Sequence, residues 1–188
     1  RMIGAEIRYT QNGYWMRQPP FGYQSEKVDT NQGKRTILKP RKEEAVFIRQ
    51  IFELRAEGLL SDPEIVEKLN NAGYQTRVHY IRNKDDLSKV MAKKGGKPLT
   101  VKRMQKIIAN TIYAGINVEK WTNYQPIKCA FEGLITIDLF NRANRGKKYI
   151  AFNETDGEYE IQRQAPKKHL VEKNINNPMF PYKKFVLC

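Results

Sequence analysis

The sequence predicts a mixed α+β fold: a three-helix core of helix-turn-helix type, flanked by β-hairpins and followed by a C-terminal tail. Three observations carry this expectation. Apolar residues recur at helical spacing in three successive stretches. Residues suited to strands sit on either side of turn-forming runs. The third helical stretch sets Lys, Arg, Gln and Asn opposite its apolar face.

Arg1 to Asn12 has Met2, Ile3 and Ile7 at one-turn spacing and begins without a cap, as the end of a longer helix would. Gly13 stops it, and Tyr14, Trp15, Pro19, Pro20, Phe21, Gly22 and Tyr23 make a run too rich in proline and aromatic residues for helix. Tyr23 to Val28 and Arg35 to Leu38 suit the strands of a hairpin, with Asp29 to Gly33 as its turn. Pro40 ends the second strand. A helix is expected from Arg41 to Gly58, with Ala45, Ile48, Ile51, Phe52 and Leu54 on the buried face.

Ser61, Pro63 and Glu64 then announce a second helix: a serine cap, a proline in the first turn and a glutamate at the capping-box position. It runs to Ala72 with Ile65, Val66 and Leu69 inward, and Gly73 is its left-handed stop. Gln75 to Pro98 is polar, and Lys93 to Pro98 reads as a flexible basic loop. Thr100 caps a third helix to Thr111. Val101, Met104, Ile107 and Ile108 fall on one face, Lys102, Arg103, Lys106 and Asn110 on the opposite one, and Gln105 near its edge. Strands at Ile116 to Trp121 and Gln125 to Phe131 follow, and Thr136 caps a last helix to Lys148. Residues 151–174 read as a linker, and an apolar-rich pattern resumes at Pro178.

The net charge of +14 and the pI near 9.8 make a polyanion the first candidate partner. The charge is concentrated: between Arg77 and Lys106 there are ten Lys and Arg against two Asp. The basic helix is therefore expected to enter the major groove of duplex DNA. Lys102, Arg103, Gln105, Lys106 and Asn110 would face the bases, and Arg77, Lys93, Lys94 and Lys97 would meet phosphates. A solvated face, a transcriptional regulator with the same helix-turn-helix chemistry and a basic protein-interaction module are the other readings of this pattern.

Other function classes find little support. No apolar run approaches the ~20 residues that span a bilayer, and no signal peptide opens the sequence, so the expected compartment is the cytoplasm. Cys129 and Cys188 are the two cysteines, and with the isolated His79 and His169 they assemble neither a disulfide framework nor a complete metal site. There is no phosphate-binding glycine loop and no nucleophile elbow. Asp62 and Glu64 are explained by capping, and Glu43 and Glu44 by the helix dipole. Ser25, Ser61 and Ser88 lack an arranged base, so no catalytic residue and no small-molecule substrate is expected.

The order Gln18-Pro19-Pro20-Phe21-Gly22-Tyr23, a hairpin, Pro40, Glu43-Glu44-Ala45 and Ile51-Phe52 resembles the recombinase domain of large serine recombinases. Glu64-Ile65, Leu69-Asn70, Gly73, Thr76, Leu99-Thr100-Val101, Ile107 to Asn110 and Tyr113-Ala114-Gly115 are similar to its second half. The resemblance implies that residues 13–150 form the DNA-binding recombinase domain, and that residues 1–12 end the helix joining it to a catalytic domain. Residues 175–188 would open a zinc ribbon with Cys188 as first ligand, zinc being a cofactor of the full-length protein alone. It further implies phage integrase or transposase activity on attachment or transposon-end sites. Other recombinase subunits would be partners, and the attacking serine would lie in an N-terminal domain not present in this sequence.

Overall fold

The computed structural model describes residues 2–163 apart from 32, 85 and 87. The architecture is mixed α+β, with five α-helices and four two-stranded antiparallel hairpins among the described residues. The first helix, α1 (Met2–Gln11), ends at Gly13 as expected. The hairpin of β1 (Tyr23–Thr30) and β2 (Gly33–Pro40) runs further toward its tip than the expected strands, because Thr30 and Gly33 already pair. Helix α2 (Lys42–Glu57) buries Ala45, Ile48, Ile51 and Phe52, and Gly58 at φ 77° closes it in the left-handed conformation. Leu54 is only partly buried.

Helix α3 (Asp62–Asn71) starts as its sequence demands: the Glu64 carboxylate accepts from the Ser61 N–H at 2.7 Å and from its hydroxyl at 2.6 Å. Its end is a reverse turn through Gly73, whose N–H donates to Asn70 O at 2.9 Å while the Tyr74 N–H donates to Leu69 O at 3.0 Å. Helix α4 (Val101–Ile108) follows after an unexpected feature, a hairpin of β3 (His79–Arg82) and β4 (Val90–Lys94). Every described residue of these two strands is exposed. With no buried face there is no apolar alternation to read, and the stretch looks like loop.

Beyond α4, a 3-10 turn at Thr111–Ala114 leads into β5 (Ile116–Asn117) and β6 (Ile127–Lys128), much shorter than the strands expected there. A second 3-10 turn, Lys120–Thr122, takes up part of the difference. Helix α5 (Ile137–Asn144) is capped by Thr136, whose hydroxyl accepts from the Leu139 N–H at 3.2 Å. It stops at Arg145, which is left-handed at φ 49°, four residues before β7. Residues 149–162, expected largely as linker, form the hairpin of β7 (Tyr149–Asn153) and β8 (Glu158–Gln162), anchored by buried Ile150. The expected linker from residue 164 onward and the expected zinc-ribbon start, including Cys188, lie outside the described residues.

The core centres on α2. Ile48, Ile51 and Phe52 meet Ile65 and Leu69 of α3, Met104 of α4 and Phe140 of α5 in one buried cluster. Two tyrosines tie the first hairpin to it. Tyr23 stacks on Tyr113 at 5.9 Å between ring centres, and its hydroxyl donates to Ile112 O at 3.2 Å while accepting from the Leu134 N–H at 3.0 Å. The Tyr113 hydroxyl donates to Phe21 O at 2.9 Å. These buried bonds satisfy groups that could not otherwise be dry, and they seat the hairpin beside the helices.

Candidate nucleic-acid interface

Helix α4 is held at both ends, and this fixes its outer face. At its start the Asn70 amide closes on Leu99, accepting from its N–H at 2.7 Å and donating to its carbonyl at 3.1 Å. Thr100 then caps the helix, its hydroxyl accepting from the Arg103 N–H at 3.3 Å. At its end the Asn144 amide donates to Ile108 O and Lys148 to Ala109 O, each at 2.9 Å. Burial lowers the Lys148 pKa, with the charge of Arg163 adding to the effect. Met104, Ile107 and Ile108 are buried, so Lys102, Arg103, Gln105 and Lys106 point away from the core.

The first turn of α4 carries no acidic residue and two exposed cations, Lys102 and Arg103. Its unpaired N–H groups already make that end positive, so the local field is suited to an anion. A groove of about 640 Å³ runs from the end of β4 along this turn, lined by Lys93, Lys94, Lys97, Lys102, Arg103 and Lys106. Six of the nine residues expected to touch DNA are thus brought to one surface. Beneath it Tyr74 is buried against Phe21 and Phe47, with ring centres 5.0 and 5.5 Å apart. Burial raises the Tyr74 pKa, and nearby Arg103 opposes the shift.

The remaining three expected residues have other local roles. Arg77, expected on phosphates, turns inward: its Nε donates to Glu44 Oε1 at 2.6 Å and Nη1 to Pro19 O at 3.1 Å. Nη2 donates to Pro20 O at 3.3 Å and also reaches Tyr23 O and Glu44 Oε2. A guanidinium so engaged is a bracket between the Pro-Pro segment, β1 and α2. Asn110 lies beyond α4, and its side chain accepts from the Ile112 N–H at 3.2 Å to cap the 3-10 turn. Helix α4 ends earlier than expected because that cap starts a new element. Gln105 donates to Asp62 at 3.1 Å, and Asp62 is itself paired with Arg55, so this amide is tied to α3 rather than to the groove. Lys93 and Lys94, expected in a flexible loop, stand on β4.

Glu44, Asn70 and Asn144 escaped the sequence reading as parts of this site. Glu44 sits where the helix dipole alone accounts for an acid, yet it is buried and accepts from the Gly22 N–H at 2.8 Å as well as from Arg77. Asn70 adjoins Leu69 in the resemblance, but its partner is 29 residues away. Among the described residues no group of acidic, histidine or cysteine side chains could hold a metal ion, and no helix is long and apolar enough to cross a membrane.

A short cationic helix and an adjoining groove gather positive charge on one surface of a mixed α+β scaffold. The chain belongs to the Recombinase family, which matches residues 42–148, and the domain is the recombinase domain of large serine recombinases. Two solved structures share its fold. One is described as the crystal structure of an LSR–DNA complex; it is 20% identical, with a TM-score of 0.51 over 79% of this chain and 39% of that one. The other concerns the sequence requirements of the Listeria innocua prophage attP site; it is 18% identical, with a TM-score of 0.51 over 87% of this chain and 71% of that one. No curated protein matches the sequence.

Proposed function

We propose that this domain binds duplex DNA at half of a recombination site, as the DNA-binding part of a large serine recombinase. The observation that carries the proposal is the groove in which Lys93, Lys94, Lys97, Lys102, Arg103 and Lys106 converge on the first turns of α4. An α-helix fits the major groove, where Arg and Lys donate to guanine O6 and N7. Arg103 and Lys106 take that role, and Lys93, Lys94 and Lys97 neutralise phosphates beside it. The likeness in fold to a recombinase solved with DNA supports the same reading. In it these residues choose the site, and the phosphoryl transfer belongs to the serine of the parent protein's catalytic domain.

Selection of duplexes from a randomised library by the full chain, followed by gel shifts on the enriched sequences, tests the proposal. Arg103→Ala with Lys106→Ala should lower affinity on the order of 100-fold, from the ~1–3 kcal/mol carried by each good base contact. Unchanged affinity sinks the assignment of α4. Absence of any enriched sequence favours a protein partner, and a palindrome bound by a stable dimer favours a regulator.

A further inference from the structure

The β3–β4 hairpin has both faces in solvent, and its exposed side chains include large apolar and aromatic ones. Tyr80 is 58% exposed, Val90 53% and Met91 66%, interleaved with Lys84, Lys89, Lys93 and Lys94. Tyr80 pairs with Lys93 and Ile81 with Ala92, and a bulge after Ile81 leaves Met91 out of register. A bulge bends and twists a ribbon. An isolated two-stranded hairpin is marginal in water, so one exposing aromatic and apolar side chains calls for a surface to lie on.

The base of the hairpin is built to hold a direction. The Thr76 N–H donates to Lys97 O at 2.9 Å, the Gly96 N–H to Thr76 O at 2.9 Å, and the Lys97 N–H to the Thr76 hydroxyl at 3.0 Å. Gly95, at φ 99°, passes so close to Arg77 that a Cβ there would fall 1.8 Å from the Arg77 carbonyl oxygen. Arg77 is locked to Glu44 of α2, so the ribbon is set by the helical core rather than hung from a loop. Its inner end supplies Lys93 and Lys94 to the groove at α4, which makes the ribbon a continuation of that surface.

We infer that the β3–β4 hairpin is a wing that lies along the sugar-phosphate backbone of the same duplex, beyond the groove that α4 enters, and lengthens the contacted site. This rests on the DNA-binding reading of α4. The interleaving of Lys with Tyr80 and Met91 suits a backbone whose surface alternates phosphates with apolar deoxyribose. A second copy of the chain suits it less, because each copy carries a net charge of +14 and would repel the other.

Hydroxyl-radical footprinting of the full chain on a duplex selected as above is the test, with Tyr80→Ala, Lys84→Ala and Met91→Ala combined. None of the three lines the α4 groove. The unaltered chain should protect a central tract and a flanking one. The triple variant should lose the flanking tract alone, bind on the order of 10-fold more weakly, and show a log–log salt slope shallower by about one. Flanking protection and slope unchanged would overturn the wing, and so would unchanged protection accompanied by altered sedimentation, which would make the ribbon a contact between copies. Arg103→Ala with Lys106→Ala separates the two readings: loss of the central tract alone is failure of neither. A central tract intact in that variant, with the flanking tract lost only in the triple variant, rejects the α4 assignment and keeps the wing on DNA. A duplex unprotected by the unaltered chain rejects both.

Discussion

Arg77, in the segment between α3 and β3, meets Glu44 of the first turn of α2 with its Nε 2.6 Å from Glu44 Oε1, in a place where neither side chain is more than 18% exposed. Glu44 also receives the Gly22 N–H, and Arg77 also reaches the carbonyls of Pro19, Pro20 and Tyr23. Removing Arg77 would leave the buried Glu44 carboxylate with the Gly22 N–H and the longer, 3.4 Å pair to the half-exposed Arg41, and would free the carbonyls of Pro19, Pro20 and Tyr23 of a donor. Arg77→Ala should therefore lower the unfolding free energy by about 3 kcal/mol, measured by urea denaturation. Arg77→Lys should recover little of it, because an ammonium cannot replace a planar fork of donors. A stability unchanged by Arg77→Ala would return this residue to the solvent-facing role that the sequence suggests.

Asn70 supports α4 without lying on its outer face. Removing its amide by Asn70→Ala leaves the N–H and carbonyl of Leu99 without these partners, at about 2 kcal/mol. The start of α4 should loosen, seen as faster amide exchange at Val101 to Arg103. On the proposed function, duplex affinity should fall with it, although Asn70 does not line the groove. Exchange rates in α4 identical to those of the unaltered chain would remove Asn70 from the site.

Gly133 is a close approach rather than a left-handed turn. A Cβ there would sit 2.6 Å from both the Ala114 carbonyl carbon and the Tyr113 oxygen, backbone atoms that cannot swing aside. Gly133→Ala should destabilise the domain by about 3 kcal/mol, while Gly157→Ala meets no atom within 4 Å and bears only the strain of φ 68°. Thermal melts of the two variants compare them directly, and equal midpoints would contradict this difference in crowding.

Alkaline pH should unfold the domain in stages. Burial pushes the Cys129 thiol from its ordinary 9.0 up to about 12, and drives the Tyr23 and Tyr113 phenols well above their ordinary 10.0. Each acid is neutral in the fold and ionises earlier in the unfolded chain, so the unfolded state binds fewer protons as pH rises. Stability is full below about pH 9 and then declines, by up to ~1.4 kcal/mol per pH unit for each group past its unfolded value. Cys129→Ala should remove the decline between pH 9 and 10 and leave the steeper fall above it. Urea melts across that range decide the matter, and an unaltered onset in the variant would exclude the thiol.

Much of the domain was legible because its signals are local. Ser61, Thr100 and Thr136 each begin a helix, Gly58 and Gly73 each help to end one, and the apolar faces of α2, α3 and α4 keep their spacing. The β3–β4 hairpin was hidden because a strand exposed on both faces has no alternation to show. The length of α4 was overestimated because Asn110 reads equally as a helical residue and as the cap of a new turn. Arg77 was misread for a different reason: in a polar run, an arginine destined for a buried carboxylate looks like one destined for a phosphate.

The sequence by itself determined where the helices begin, which faces they bury, and that a strong positive charge gathers before and along α4. Caps and periodicity act within a few residues, so they can be read in order along the chain. Only the tertiary structure decided which cations share a surface. It sends Arg77 inward to Glu44, turns Gln105 toward Asp62, and collects Lys93, Lys94 and Lys97 beside Lys102, Arg103 and Lys106. Side-chain ion pairs and hydrogen bonds depend on separation in space, and here the ion pair of Arg77 with Glu44 joins residues 33 apart along the chain and the hydrogen bond of Gln105 to Asp62 residues 43 apart.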